Sequence, residues 1–209
     1  MRVNEQGRSM IEMLGVLAIV GVLSVGGIAG YSKAMNKFKT NKVIDQINMI
    51  STNIRTLYSS QRNYNGLNNQ LAKKAGAVSG DMYTSESDDN ITNAFQGTIT
   101  IASTIHNGQE HAGYVIGFDG LPKSACVAAA TTDWGGDVGS GFAGMAVVGA
   151  SNAVGTTASA VAAVSKDSLT AAANLAIPGD PTHGTPMSIV DAQTSCGNNS
   201  NNAIALKYI

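Results

Sequence analysis

Four groupings of residues have the types and spacing to do chemistry. Glu12 opens a charge-free stretch, residues 13–32, four positions after Arg8 and five after Gly7. A carboxylate at the edge of an apolar helix is costly in a medium of low dielectric, so it marks a functional position. Arg8 shares a helix face with Glu12 and can pair with it inside one chain. A positive group on a neighbouring chain can do the same. Cys126 and Cys196 are the only two cysteines, too few for a four-thiolate zinc site and enough for one disulfide. Gly139-Ser140-Gly141-Phe142-Ala143-Gly144 fits the glycine spacing of a dinucleotide fingerprint. His106, Glu110 and His111 are of the types that ligate metals.

Context removes the last two. No buried strand precedes Gly139, residues 132–136 read as loop, and no helix opens at Gly144, so a flexible glycine loop is the expectation. His106, Glu110 and His111 read as residues in and beside a hairpin turn, with no further ligand spaced to complete a site. Residues 85–90, SESDDN, lack the alternating ligands and distant Glu of a calcium loop. His183 falls in a Pro/Gly loop, and no serine sits in a nucleophile elbow. The sequence therefore points to no enzyme, no metal and no cofactor.

Composition narrows the classes further. The chain has 209 residues, enough for one domain with one appendage. Its 13 Lys+Arg against 14 Asp+Glu leave a formal net charge of -1, which excludes nucleic acid as a main partner. Charged residues are 13% and hydrophobic residues 44%, the reverse of a disordered composition. Aromatics are only 5%, which argues against a large aromatic-lined pocket.

The elements that must position Glu12 and the cysteines can be read in turn. Residues 13–32 span about 30 Å as a helix, the thickness of a bilayer core. They are bounded by Glu12 and Lys33, and the first proline is Pro122. A cleaved signal peptide, an ordinary single-span anchor and a specialised assembly helix all remain readings; the length and Glu12 argue against the first. Gly26 and Gly30 form a small-xxx-small pair that permits close helix approach. Arg2 and Arg8 lie upstream, and Lys33, Lys37, Lys39 and Lys42 downstream, a distribution that by charge alone would place the downstream side in the cytoplasm. Met35, Phe38, Ile44, Ile47, Ile50, Ile54 and Leu57 continue an amphipathic stripe, so one helix is expected over 9–59.

Beyond it, helices are expected at 67–74, at 121–130 with Pro122 in the first turn, at 165–173, and at 185–193 with Thr185 as cap and Pro186 at the first position. Strands are expected at 97–105 and 112–118 about a turn at 106–108, at 145–148, at 160–164 and at 203–209.

The run Gly7-Arg8-Ser9-Met10-Ile11-Glu12 resembles the processing site of type IV prepilins: a Gly, four residues, then a Glu opening an apolar helix. Further along, LYSSQRNYNGL, ITNAFQG, a strand, PKSAC on a helix, a long insert, PMSIVDAQTSC and a closing strand follow in an order similar to the type IVb pilins. The likeness covers most of the chain outside about 132–180. It implies an α+β pilin fold: a long N-terminal helix, membrane-spanning in its first half, packed on a mainly antiparallel sheet with a disulfide-closed C-terminal region. It divides the chain into a leader (1–7), a transmembrane or filament-core helix (8–32), an amphipathic helix (33–60) and a globular head (61–209).

The resemblance also implies roles for single residues. A prepilin peptidase cuts after Gly7, and Arg8 becomes the N-methylated first residue, where the family usually has Phe, Met or Leu. Glu12 pairs with the amino terminus of a neighbouring subunit. Cys126 and Cys196 match the family's disulfide, with two buried free thiols as the alternative; a disulfide implies an oxidising compartment. The function implied is a structural subunit of a surface pilus for adhesion, aggregation or cell contact. Its partners would be identical subunits, the peptidase, the assembly machinery and, before assembly, the inner membrane. The alternatives are a pseudopilin of a type II secretion system and a single-span, membrane-anchored extracytoplasmic protein.

Overall fold

The computed structural model describes residues 6–135, 140–149, 164, 175–198 and 200–209. By its internal contacts the chain forms two units, Met1–Lys39 and Thr40–Ile209. Helix α1, Gln6–Leu57, is continuous through both. From Met10 to Ile28 every large apolar side chain of the first unit is exposed.

In the second unit the same helix becomes one-sided. Val43, Ile47, Ile50, Ile54 and, just past its end, Tyr58 are buried, at intervals of three and four that keep them on one face. They join one core with the sheet residues Ile99, Ile116, Phe118, Ile204 and Leu206. The Tyr114 hydroxyl donates to the Ser51 carbonyl (3.2 Å), and the Ala94 N–H donates to Gln46 Oε1 (3.3 Å). The expected stripe differs at its start: Phe38 is exposed, and Val43, outside that stripe, is buried. Apolar spacing gives the face of a helix but not the residue at which a covering layer begins.

The fold is α+β. Five strands, β1 (Ile99–His106), β2 (Gln109–Leu121), β3 (Phe142–Val148), β4 (Leu175–Ala176) and β5 (Asn202–Tyr208), pair antiparallel in the order β1-β2-β5-β3-β4. β1 and β2 close through Asn107 and Gly108, both at positive φ, the two-residue turn that Asn-Gly favours. β2 is longer than expected because its polar start, Gln109 to His111, lies in the hairpin where alternation is silent. Helix α2 (Asn69–Lys74) is capped by Asn68, whose side chain accepts the Leu71 N–H. Helix α3 (Lys123–Ala130) follows Pro122, which takes the cap position rather than the first turn.

Three expectations in the last third change. Helix α4 spans Ile189–Ser195 with Ser188 as its cap, not Thr185. Ser188 Oγ accepts the Asp191 N–H and donates to the Asp191 carboxylate, a reciprocal cap. Thr185 precedes a cis bond to Pro186, and the Met187 N–H is held by the Ala130 carbonyl, so these residues form the approach. The short strand β4 has no sequence signal beyond two apolar residues. Of residues 160–164 only Val164 is described, and it is helical and buried instead of extended; the helix expected at 165–173 lies outside the described residues.

β5 has all seven residues buried. Ile204, Leu206 and Tyr208 face α1 and α3; Ala203 and Ala205 face a smaller cluster with Val115, Ala146, Val148, Val164 and Leu175. Tyr58, Tyr64, Tyr114, Tyr208 and Phe142 run as one chain of rings with neighbouring centroids 4.7–5.4 Å apart. Burial raises the Tyr208 hydroxyl to about 12 and raises Tyr114 further, so both stay protonated. Five of the eleven aromatic side chains thus form one line.

Two side chains pin loops to this frame. The Cys126–Cys196 disulfide joins α3 to the end of α4 across 70 residues. Lys73 is buried, and its Nζ donates to Asp88 Oδ1 (2.8 Å) and to the carbonyls of Ser85 (2.8 Å) and Asn90 (3.2 Å). The 85–90 loop, which lacks the spacing of a calcium loop, is wrapped around an ammonium.

Replacing both cysteines with alanine is expected to cost about 4 kcal/mol in the loop-entropy account. The urea midpoint should fall accordingly, and an unchanged midpoint would show that the link constrains little. Lys73→Met should cost about 1–3 kcal/mol, because two carbonyls lose their donor. Lys73, by hydrogen bonding first of all, holds Asp88 below its usual carboxylate range. That contribution is present above the ordinary aspartate pKa, about 3.9, and is lost as pH falls through the lower folded value. Unfolding measured at neutral and at acid pH should therefore show a weaker acid loss in Lys73→Met than in the parent chain.

Candidate assembly segment and disulfide-closed region

Gly7 and Arg8 lie in the opening turns of α1; their side chains are outside the described residues. Glu12 follows one turn later and is exposed. Among the described residues no carboxylate or ammonium pairs with it, and the local pairing with Arg8 lies outside them. This is the one helix long and apolar enough to cross a membrane among the described residues.

The two serine hydroxyls inside the apolar stretch are satisfied by the helix itself. Ser24 Oγ donates to the Val20 carbonyl (2.7 Å) and Ser32 Oγ to the Ile28 carbonyl (3.0 Å). Such back-bonding is what a hydroxyl needs in a medium with no competing donors. Side chains added at Gly15, Gly21, Gly26, Gly27 or Gly30 would meet nothing within 4 Å, so no packing within the chain accounts for these glycines. Their space is available to another helix.

The second candidate region is closed by the disulfide. Cys126 and Cys196 are both buried, with Cα atoms 6.1 Å apart. The sulfurs are joined, so the free-thiol alternative does not hold. Inside this region Ile189 and Val190, at the start of α4, are 64% and 73% exposed. The Asp180 carboxylate accepts the N–H groups of Thr182 and His183 (both 2.8 Å), bonds that hold it below the usual carboxylate range. The structure joins the two cysteines; Glu12 belongs to the other unit.

The motifs set aside above can now be placed. Gly144 lies within β3, where a dinucleotide fingerprint needs a helix. Gly141, at positive φ, accepts the Ile209 N–H (2.7 Å) on its carbonyl. His106 ends β1, and Glu110 and His111 begin β2. Ser103 Oγ lies 2.9 Å from His111 Nδ1, a contact that alternation did not foretell. The His111 carbonyl accepts the Tyr64 N–H (2.8 Å), so this histidine ties the hairpin to the loop after α1. A shallow groove of about 210 Å³ lies between Asn53, Thr56, Leu57 and Ala75–Ala77 and holds no acid, base or thiol. The apolar exposure at Ile189 and Val190 was missed; the Ser-x-x-Asp cap placing them was the available signal.

The family model described as bundlin matches residues 32–180. The major structural subunits of the bundle-forming pilus from Escherichia coli O127:H6 (strain E2348/69 / EPEC) and O111:H- are each 30% identical over 131 residues. The match covers 63% of this chain and 66% of each relative, just under two thirds of their length. Among solved structures, TcpA, a type IV pilin from Vibrio cholerae El Tor biotype, superposes with a TM-score of 0.56 at 21% identity, over 82% of this chain and 99% of that one. The type IVb pilin from Salmonella typhi gives 0.50 at 18% identity, over 80% and 98%. These two likenesses establish the fold: a long apolar N-terminal helix, an antiparallel sheet and a disulfide-closed C-terminal region. With the family model matched over well over half of its length, the chain belongs to the bundlin family.

Proposed function

We propose that the chain is a structural subunit of a type IVb-like pilus, assembled from the inner membrane into a surface filament for adhesion, aggregation or cell contact. The observation that carries this reading is the first half of α1, apolar on every side and headed by Glu12. A helix of this kind has to be covered by lipid or by other helices. The relatives, named as major structural subunits of a pilus, support the second cover.

In this reading residues 1–7 are a leader and a prepilin peptidase cuts after Gly7. Arg8 then carries the new amino terminus and its methyl group. Residues 8–32 hold the precursor in the membrane and later stack in the filament core. Residues 33–60 carry the head, 61–209, on the outer wall. Glu12 pairs with the amino terminus of a neighbouring copy. Its carboxylate would be unsupported among apolar helices unless that positive group met it, which sets one register between subunits. The assembly machinery supplies the extraction from lipid, and the disulfide forms on the oxidising side. The role is structural and not catalytic, and it calls on no metal, cofactor or nucleic acid.

The N-terminus decides the first step. Mass spectrometry of the chain from cells should find it beginning at Arg8, N-methylated; a chain retaining Met1 in the presence of the peptidase would overturn the reading. Glu12→Ala should leave cleavage intact and reduce filaments seen by electron microscopy by tenfold or more, roughly the 1.4 kcal/mol or larger loss expected when a buried charge pair is broken. Filaments at parental yield would exclude Glu12 from assembly.

A further inference from the structure

Four lysines follow the apolar stretch, and the structure divides them. Lys42 Nζ lies 2.7 Å from Asp81 Oδ2, and Lys39 is half-buried and engaged. Lys33 and Lys37 are exposed, and among the described residues neither has a carboxylate partner. They stand at i, i+4 on one helix face, a like-charge spacing that destabilises a helix unless an anion is present. The nearest acidic residues along α1 are Glu12 and Asp45, both more than two turns away. Tyr31 and Phe38, 65% and 64% exposed, bracket the pair and lie on the opposite side of the helix. Aromatics and lysines arranged around a helix at the end of an apolar span are the composition of a bilayer interface.

We propose that Lys33, Lys37, Tyr31 and Phe38 form a girdle that seats the unassembled chain at the membrane surface, with the two lysines binding phosphates of anionic phospholipid headgroups. The length of the apolar stretch dictates this occupant. When residues 13–32 fill the hydrocarbon, Lys33 falls at the headgroup layer, and Lys37 lies about 6 Å further out, within reach of a side chain that bends back. The rings of Tyr31 and Phe38 then occupy the boundary on the other side. Two of the four downstream lysines are thus matched within the protein or half-buried, and two are matched by lipid. The basic flank marks an interface and not a cytoplasmic face. That the leaflet is the extracytoplasmic one rests on the proposed function; the lipid contact itself does not.

The test uses the full chain reconstituted in phosphatidylcholine bilayers, with spin-labelled phosphatidylglycerol and phosphatidylcholine as probes of the boundary lipid. Preference for phosphatidylglycerol should fall about fivefold for each lysine replaced in Lys33→Gln, Lys37→Gln and the double variant, and should fade with added salt. Lys42→Gln should leave it unchanged. Glutamine keeps helix propensity at these exposed positions, so folding is not the variable. No preference in the parent chain, or full preference in the double variant, overturns the girdle, as does an equal loss in Lys42→Gln. Protease access to the head in spheroplasts and in inverted vesicles reads orientation separately. A head cut only from the cytoplasmic side would sink the pilus reading and leave the lipid result to stand on its own.

Discussion

The chain's last strand is the middle of its sheet. β5 is bonded on one edge to β2 and on the other to β3, and every one of its residues is buried. Until it arrives, two separated hairpin-like pieces expose their inner edges and the core beneath them. The surroundings are shaped to hold it. A side chain at Gly149 would meet the Ser195 carbonyl oxygen at 2.6 Å and the Gly197 nitrogen at 2.9 Å; one at Gly113 would meet the Tyr208 carbonyl oxygen at 2.6 Å. Asn202, buried at the start of the strand, donates to the Leu121 carbonyl (3.0 Å) and accepts the Gly197 N–H (2.6 Å). The disulfide stands just ahead of it at Cys196. A covalent link, an amide and the closely packed Gly149 act within a few residues of where the strand enters, and Gly113 packs against its far end.

This arrangement ties the sheet to its compartment. Pairings between residues 114–121 and 202–208 are far apart in sequence, so the loop between them must be ordered before the contacts reward it. A bond between Cys126 and Cys196 shortens that search by fixing the two helices that flank the strand. It forms only where thiols are oxidised, which is the side on which a membrane-spanning subunit of a surface filament would keep its head.

The sequence made the helix, the hairpin and the closing strand legible because each has a strong local period or a turn with one preferred chemistry. Asn107-Gly108 and the spacing of Ile47, Ile50 and Ile54 needed no tertiary information. The cysteine pairing came from resemblance, since two thiols 70 residues apart say nothing of distance. What stayed hidden depends on neighbours. β4 is a strand only because Met145 and Ala146 pair with it. Lys73 reads as the last turn of a surface helix, yet its ammonium is enclosed by a polar loop that folds back onto it. Thr185-Pro186 is a good helix opening in isolation, and Ser188 displaced it because Met187 is committed to the core beside α3. Glu12 was legible as an anomaly of charge; its partner is not within the described chain.

One helix therefore answers to two solvents. From Thr40 onward its apolar residues cover a single face, and the sheet satisfies them. Before it they point in every direction, and nothing among the described residues covers them. Lipid and packed helices are nearly equivalent covers for such a surface, because hydrocarbon tails are as apolar as leucine. The hydrophobic effect cannot then choose between lipid and packed helices. The choice falls to the few features that lipid and protein treat differently: glycines with open space beside them, a carboxylate that needs a cation, and lysines that need an anion. In the proposed reading Glu12 would be better matched by a neighbour's amino terminus than by lipid, and Lys33 and Lys37 would be matched by headgroups. On that reading the same helix would carry, at opposite ends of its apolar stretch, one group that favours assembly and a pair that favours staying in the membrane until extraction is driven.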